Sequence, residues 1–314
     1  MAKNHNAKKG NDSSYYGISP DTDLDQEVDG VLSGNDWWTG DIDLAAGLPF
    51  VTYGFPVDYN VKGYKEAQGN VALSTEATDN FDTIFELIRG YTLFDNTTLK
   101  SSVNARDADI RVGAADLNGA EGWTYYPGGN DRKGTSGDVW LDTNSDNMTW
   151  GTGIGGLGSE AGTAPGTYVY TVALHEIRHA MGLKHSFEPG AFGLVPKDSL
   201  EYTVMSYTSS SPDDPDAPWP ADGEGPQTFM QYDIAAMQYM YGADYGTNAG
   251  HNVYTIEDGD LYIDGNRYFS QSGSEKLSLT LWDGVGNDTY DFSNAAQGVT
   301  IDLRPGGWVT FDDN

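Results

Sequence analysis

The sequence contains no cysteine. That absence excludes a disulfide framework, a thiolate nucleophile and a structural zinc site of the cysteine type, and it leaves the compartment open. Basic residues are scarce: 17 lysines and arginines stand against 47 aspartates and glutamates, for a formal net charge of −30. Such a surplus opposes binding to nucleic acid and to anionic membrane surfaces, and it suits a soluble chain able to load cations. No apolar run reaches the roughly 18 residues that a membrane-spanning helix needs, so membrane insertion is not expected. The first residues, Met1 to Lys9, lack the apolar stretch of a cleavable signal peptide, so export would rely on another signal. At 314 residues the chain can hold a full core, and the expectation is one catalytic domain with an appendage.

Histidine is also scarce, with five in all, yet three fall in the stretch His175-Glu-Ile-Arg-His179-Ala-Met-Gly182-Leu-Lys-His185. Residues four apart share a helix face, so His175 and His179 can grip one ion. Gly182 is the residue type that ends a helix in a left-handed turn, which would swing the chain back and deliver His185. Three neutral imidazoles and one open position make a catalytic zinc geometry, with Glu176 placed to take a proton from a water there. The competing reading is a set of satisfied core histidines on an amphipathic helix. It suits a lone histidine better than the full pattern with its glycine.

Residues 1–28 are polar, basic at the start and acidic at the end, and are expected to form a leader or pro-segment. The spacing of Asp21, Asp23 and Asp25 suggests a calcium loop, but Gln26 and Leu32 stand where glycine and glutamate are required. A first strand is expected over Pro49–Pro56, and a helix over Ser74–Gly90 with Ser74 as cap and Phe81, Ile84, Phe85 and Ile88 inward. Residues 108–113, 122–126 and 138–142 alternate as strands do. Gly151–Gly156 fits a dinucleotide fingerprint formally, but no helix start follows, so it reads as a loop. The histidine helix is predicted over Thr167–Leu183 and a last helix over Thr228–Tyr241, with Gly242 as its stop. From Asn252 the composition turns to short strands and turns rich in Asp, Gly and Asn. The expected division is therefore a leader over 1–28, a catalytic domain over 29–245 and a separate piece over 246–314.

Val204-Met205-Ser206-Tyr207 lies about twenty residues past the third histidine. Alone, Met205 would read as ordinary core. Behind the histidine motif, the segment resembles the Met-turn of the metzincins. Ala108-Asp-Ile-Arg111, Tyr125-Tyr-Pro-Gly128, Gly137-Asp-Val-Trp140 and Tyr232–Gly242 extend the likeness. From about residue 30 to its end the chain resembles the serralysin-type metzincin zinc peptidases of peptidase family M10.

The resemblance implies an α+β fold: a metzincin catalytic domain with a twisted, mostly parallel sheet, an antiparallel edge strand, an active-site helix and a C-terminal helix. The beginning of a calcium-binding β-roll would follow. It implies a zinc-dependent endopeptidase with one catalytic zinc on His175, His179 and His185 and a zinc-activated water. Glu176 would be general base and then proton donor, Tyr207 a further, displaceable ligand, and Met205 the residue of the turn beneath the metal. A phenol with an ordinary pKa of about 10 can leave a metal and donate a hydrogen bond to a developing oxyanion. The edge strand, with Trp123, Thr124 and Tyr125, would pair with an extended protein or peptide substrate; plain sheet edge is the alternative for it. The resemblance further implies an extracellular monomer, exported by a C-terminal signal not present in this chain.

Trp282-Asp-Gly-Val-Gly-Asn-Asp288-Thr-Tyr-Asp-Phe292 resembles one glycine- and aspartate-rich calcium repeat. Kinship would put structural Ca²⁺ near the Arg267 carbonyl, Asp283, Gly286 and Asp288. An Asp-Gly turn between two strands is the simpler reading. A stacked array needs about three repeats to stand alone, so this piece is expected to lean on the catalytic domain, and the chain to be a truncated form. Two positions depart from the family. Arg178 stands where glycine is usual, roughly 160° around the helix from Glu176 and so not placed to pair with it. Ser186 stands where proline is usual. Neither removes a ligand, but they motivate an alternative: a catalytically weak or inactive zinc- and calcium-binding module that retains the fold.

Overall fold

The computed structural model of this chain describes residues 24–33, 42–43, 48–57, 70–99, 105–127, 135–143, 164–189, 195–209, 225–257, 259–269, 277–295 and 298–311. The Gly151–Gly156 loop, most of the expected leader and the stretch over 210–224 lie outside the described residues. The first region is a six-stranded sheet with helices. Its strands are β1 (Ile42–Asp43), β2 (Leu48–Gly54), β3 (Asp95–Leu99), β4 (Ile110–Ala115), β5 (Gly122–Thr124) and β6 (Val139–Asp142). Strands run in the order β1-β2-β4-β6-β5, with β3 also paired to β2. The pairs β2–β3, β2–β4 and β4–β6 are parallel; β1–β2 and β5–β6 are antiparallel. Every residue of β4 and β6 is buried, as expected for strands covered on both faces. The sheet is thus mostly parallel with an antiparallel edge.

Helix α2 (Thr75–Tyr91) buries Phe81, Ile84, Phe85 and Ile88 along one face. Ser74 caps it by accepting from the Ala77 amide at 3.1 Å. Helix α3 (Tyr168–Ala180) carries the histidine motif and is buried from Val169 to Ala180, apolar and titratable residues alike. Helix α4 (Gln231–Tyr241) is stopped by Gly242, whose φ of +82° a side chain would resist.

Two features were not anticipated. The five residues of β3 carry no apolar alternation, so only pairing with β2 reveals the strand. Helix α1 (Leu24–Val31) buries Val28 and Val31, and the expected leader boundary at residue 28 falls inside it. An apolar i, i+3 pair among acidic residues is a weak sequence signal, but here it docks on the end of α3. Leu32 bridges to Leu183, the Lys184 amide donates to the Val31 carbonyl at 2.8 Å, and the Tyr232 hydroxyl donates to Glu27 at 3.0 Å.

Beyond α4, strands β7 (Val253–Glu257), β8 (Asp260–Ile263), β9 (Asn266–Phe269) and β10 (Thr289–Asp291) form a sheet in the order β10-β7-β8-β9. The pair β11 (Val299–Ile301) and β12 (Val309–Phe311) follows. This segment leans on the first region. Leu277, Leu279, Leu281 and Trp308 pack against the shared core, Gln227 and Ser278 exchange two hydrogen bonds of 2.8 Å, and the Trp282 indole donates to the Asp244 carbonyl at 2.7 Å.

Candidate metal centre

Helix α3 places His175 and His179 one turn apart, and its ending supplies the third ring. Gly182 takes φ +103°, the Leu183 amide returns to the Arg178 carbonyl at 3.0 Å and the Gly182 amide to the His179 carbonyl at 3.0 Å. This paired C-terminal cap needs the left-handed glycine, and it turns the chain so that His185 faces back to the helix. The His185 Nε2 lies 3.1 Å from Nε2 of His179 and 3.1 Å from Nε2 of His175. Ligand atoms of the three rings all lie within 4.8 Å of one another.

The opposite ring nitrogens fix what those Nε2 atoms are. His175 Nδ1 meets the Val204 carbonyl at 2.7 Å, His179 Nδ1 the Leu183 carbonyl at 2.7 Å, and His185 Nδ1 the Glu188 carboxylate at 2.8 Å. These acceptors require N–H on Nδ1, so each ring in its neutral form would present an Nε2 lone pair to one point. Burial, and then the neighbouring His185, pushes the His175 pKa down to about 3; burial likewise holds His179 well below the usual imidazole range. A tetrahedral zinc with bonds of roughly 2.0–2.1 Å has ligand–ligand edges of about 3.3–3.4 Å, close to the spacing here. The donor set fits zinc.

Glu176 is buried beside this point. Its Oε2 accepts from the Thr124 hydroxyl at 2.6 Å, and a Cβ on Gly122 would overlap its carboxylate. The glycine therefore lets β5 run directly against the helix. Burial pushes the Glu176 carboxyl up to about 7, while the bond from Thr124 pulls the other way. Such a carboxylate can both accept and return a proton near neutral pH.

Tyr207, 47% exposed, brings its hydroxyl to 2.9 Å from His185 Nε2. Burial, then the charges of Glu176, Glu188 and Glu121, raises its pKa to about 12, so it remains a hydrogen-bond donor. Met205 is fully buried in the turn before it. Asp233 ties that turn to α4. Its carboxylate accepts from the Thr203 hydroxyl at 2.7 Å, the Val204 amide at 2.9 Å and the Met230 amide at 2.9 Å. The same Val204 then presents its carbonyl to His175.

Trp123 is 52% exposed on β5, whereas the Thr124 side chain turns inward to Glu176. The Tyr125 amide and carbonyl are both spent on Asp138 and Gly137, and the Glu121 carbonyl accepts from the Asp142 amide. By the alternation of antiparallel pairing, the outward backbone groups of this edge belong to Gly122 and Thr124.

Arg178 is fully buried, with its guanidinium 3.3 Å from the Phe229 ring centroid and no hydrogen bond on any of its three nitrogens. Burial lowers its pKa to about 10, opposed by the charge of Asp233. As its helical position implies, it does not meet Glu176. Ser186 is buried as well, donating to Asp198 at 2.5 Å and, through its amide, to the Met205 carbonyl at 3.2 Å.

In the C-terminal segment, Asp288 accepts from the Asn252 amide at 2.8 Å, Asp283 accepts from Tyr254 at 2.5 Å, and the charge of Asp288 helps raise the Asp283 pKa. Gly286 lies against the Gly250 carbonyl and the Asp288 carboxylate, and the Asn252 Oδ1 is buried without a hydrogen-bond partner. Arg267 does not join them. It sits on β9, at the opposite edge of the sheet from β10, about 14 Å away at the usual strand spacing, with its side chain 3.5 Å from Asp260. The Gly250 carbonyl and Asn252 lie beside Gly286 and Asp288 instead. The sequence reading also missed Glu188 and Asp233. Glu188 had a signal, a carboxylate three residues past a histidine; Asp233 had only its place in a helix motif.

A family model described as Peptidase M10 serralysin C terminal matches residues 243–311. Serralysin of Proteus mirabilis is 36% identical over 151 residues, which cover 46% of this chain and 29% of that protein. Metalloprotease AprA of Pseudomonas entomophila (strain L48) is 35% identical over 155 residues, 46% of this chain and 31% of that protein. Serralysin G of Dickeya chrysanthemi is 25% identical over 321 aligned residues, 95% of this chain and 59% of that protein. The chain thus spans about a third of the length of the first two curated relatives.

Proposed function

The chain is a relative of the serralysin-type M10 metallopeptidases, and from that premise we propose that it is a zinc-dependent endopeptidase acting on extended protein substrates. The observation that carries the reading is the convergence of three Nε2 lone pairs beside a buried, proton-accepting Glu176. His175, His179 and His185 would hold zinc, with Tyr207 as a further ligand that can leave. Bound there, zinc would supply Lewis acidity, lowering the pKa of a water towards about 7 and polarising the scissile carbonyl.

The remaining work belongs to the chain. Outward amide and carbonyl groups of Gly122 and Thr124 would pair with the substrate backbone and lay the scissile bond over the histidines. Glu176 would take a proton from the attacking water and return it to the leaving amine, with the Thr124 hydroxyl holding the carboxylate in place. The Tyr207 hydroxyl would donate to the carbonyl oxygen as charge develops on it. In the C-terminal segment, Asp283 and Asp288, with backbone oxygens near Gly286 and Gly250, would hold calcium. That donor set is all oxygen, and the buried, unpaired Asn252 Oδ1 suits a cation. No helix among the described residues is long and apolar enough to cross a membrane. The extracellular location and monomeric state proposed here rest on kinship alone.

A second reading, a module that keeps the metals but has lost turnover, is favoured by the unpaired cation of Arg178 inside the active-site helix. Metal analysis joined to a casein digest separates the two. The endopeptidase reading expects one zinc per chain and cleavage that a chelator stops and zinc restores. Zinc without cleavage, in wild type and in Arg178→Gly alike, would leave only the module.

A further inference from the structure

Two of the three histidines lean on backbone carbonyls of the core, and no substitution can delete those acceptors. The third differs. His185 Nδ1 donates to a side chain, the Glu188 carboxylate, at 2.8 Å. The loop that carries both residues is closely tied. Lys184 is buried and its ammonium donates to the Gly30 carbonyl at the end of α1, to the Glu188 carbonyl at 2.7 Å and to the His185 carbonyl at 3.3 Å. Ser186 anchors the next position to the Met205 carbonyl and Asp198. Phe187 stacks on the His185 ring, centroids 5.0 Å apart and 9° from parallel.

We infer that Glu188 is the positioning residue of the third zinc ligand, and that Lys184 pegs its loop to α1. The carboxylate does for His185 what Val204 and Leu183 do for their rings: it holds the proton on Nδ1, orients the ring and leaves the Nε2 lone pair facing the metal point. A charged acceptor also raises the donor strength of Nε2, which a backbone carbonyl does less well. The inference rests on the zinc reading above.

The test reads zinc rather than turnover. The zinc dissociation constant is measured by competition with a chromophoric chelator for wild type, Glu188→Ala and Glu188→Gln. Melting of each metal-free protein is followed in parallel. Glu188→Ala is expected to weaken zinc by about 10–100-fold with the metal-free melting curve unchanged. Glu188→Gln, whose amide oxygen still accepts from Nδ1, is expected to recover most of that loss. Equal affinity in wild type and Glu188→Ala overturns the inference and leaves the zinc site standing. A wild type that binds no zinc overturns the site reading, and this inference with it.

Discussion

At the histidine centre each ring is tied at its far nitrogen and burial keeps His175 and His179 neutral, whereas at Asp283 and Asp288 two carboxylates of like charge face one another. Neutral imidazoles tolerate a dry interior, so the first site can be assembled by the fold alone, before any ion arrives. The aspartates cannot relax in the same way. Burial raises the Asp283 pKa and the charge of Asp288 raises it further, against the bond from Tyr254. A cation would relieve that repulsion, so under the proposed function the ion would carry some of the stability of the segment around it. Under the proposed function the difference separates a metal for chemistry from a metal for structure: zinc should be removable with the fold intact, calcium should not.

The largest effect expected from this contrast is on calcium. At a hundredfold excess over its dissociation constant, calcium should stabilise the chain by about 2.7 kcal/mol, read as a rise in the melting temperature of the C-terminal segment. Asp288→Asn should remove the rise. An equal response to calcium in that variant would break the comparison at its second member.

Arg178 tests the first member, because its buried guanidinium has no hydrogen bond on any of its three nitrogens. Arg178→Met keeps most of the volume over Phe229 and removes the stranded charge, so it should stabilise the chain by at least about 1 kcal/mol in denaturant melts. Arg178→Gly should do the reverse, since helical glycine costs about 1 kcal/mol and a cavity is left behind. Loss of stability in the methionine variant would mean that the guanidinium has a partner worth keeping.

The smallest effect concerns acid stability of the metal-free chain. His175, lowered from 6.5 to about 3, binds fewer protons folded than unfolded in that window, so its contribution is lost as pH falls. Glu176, raised from 4.5 to about 7, binds more protons when folded, so its contribution is lost as pH rises. Between 4.5 and 6.5 the two oppose. Glu176→Gln removes one side, and the variant should lose stability on acidification through that window more steeply, by up to about 1.4 kcal/mol per pH unit. Parallel curves for the two proteins would contradict the raised carboxyl of Glu176.

The core of the site was legible because it depends on local spacing. The four-residue offset, Gly182 and Glu176 are written along one helix and its cap, and Met205 and Tyr207 stand in one short turn. Ser74, Gly242 and the apolar stripe of α2 were readable for the same reason. What escaped depends on contacts distant in sequence. Strand β3 exists through β2, α1 through its dock on Leu183 and Lys184, and Asp233 acts by reaching the Met205 turn from another helix. Arg267 falls away from Asp283 and Asp288, and only the strand order shows that β9 lies at the far edge.

The most direct test of the central claim is zinc stoichiometry and casein cleavage measured together on wild type and Glu176→Gln. The account predicts one zinc per chain in both proteins and a fall in cleavage rate of about 10²–10⁴-fold in the variant, since proton transfer is lost and the three rings are untouched. Undiminished cleavage in Glu176→Gln, or a wild type that cleaves with no zinc bound, would contradict it.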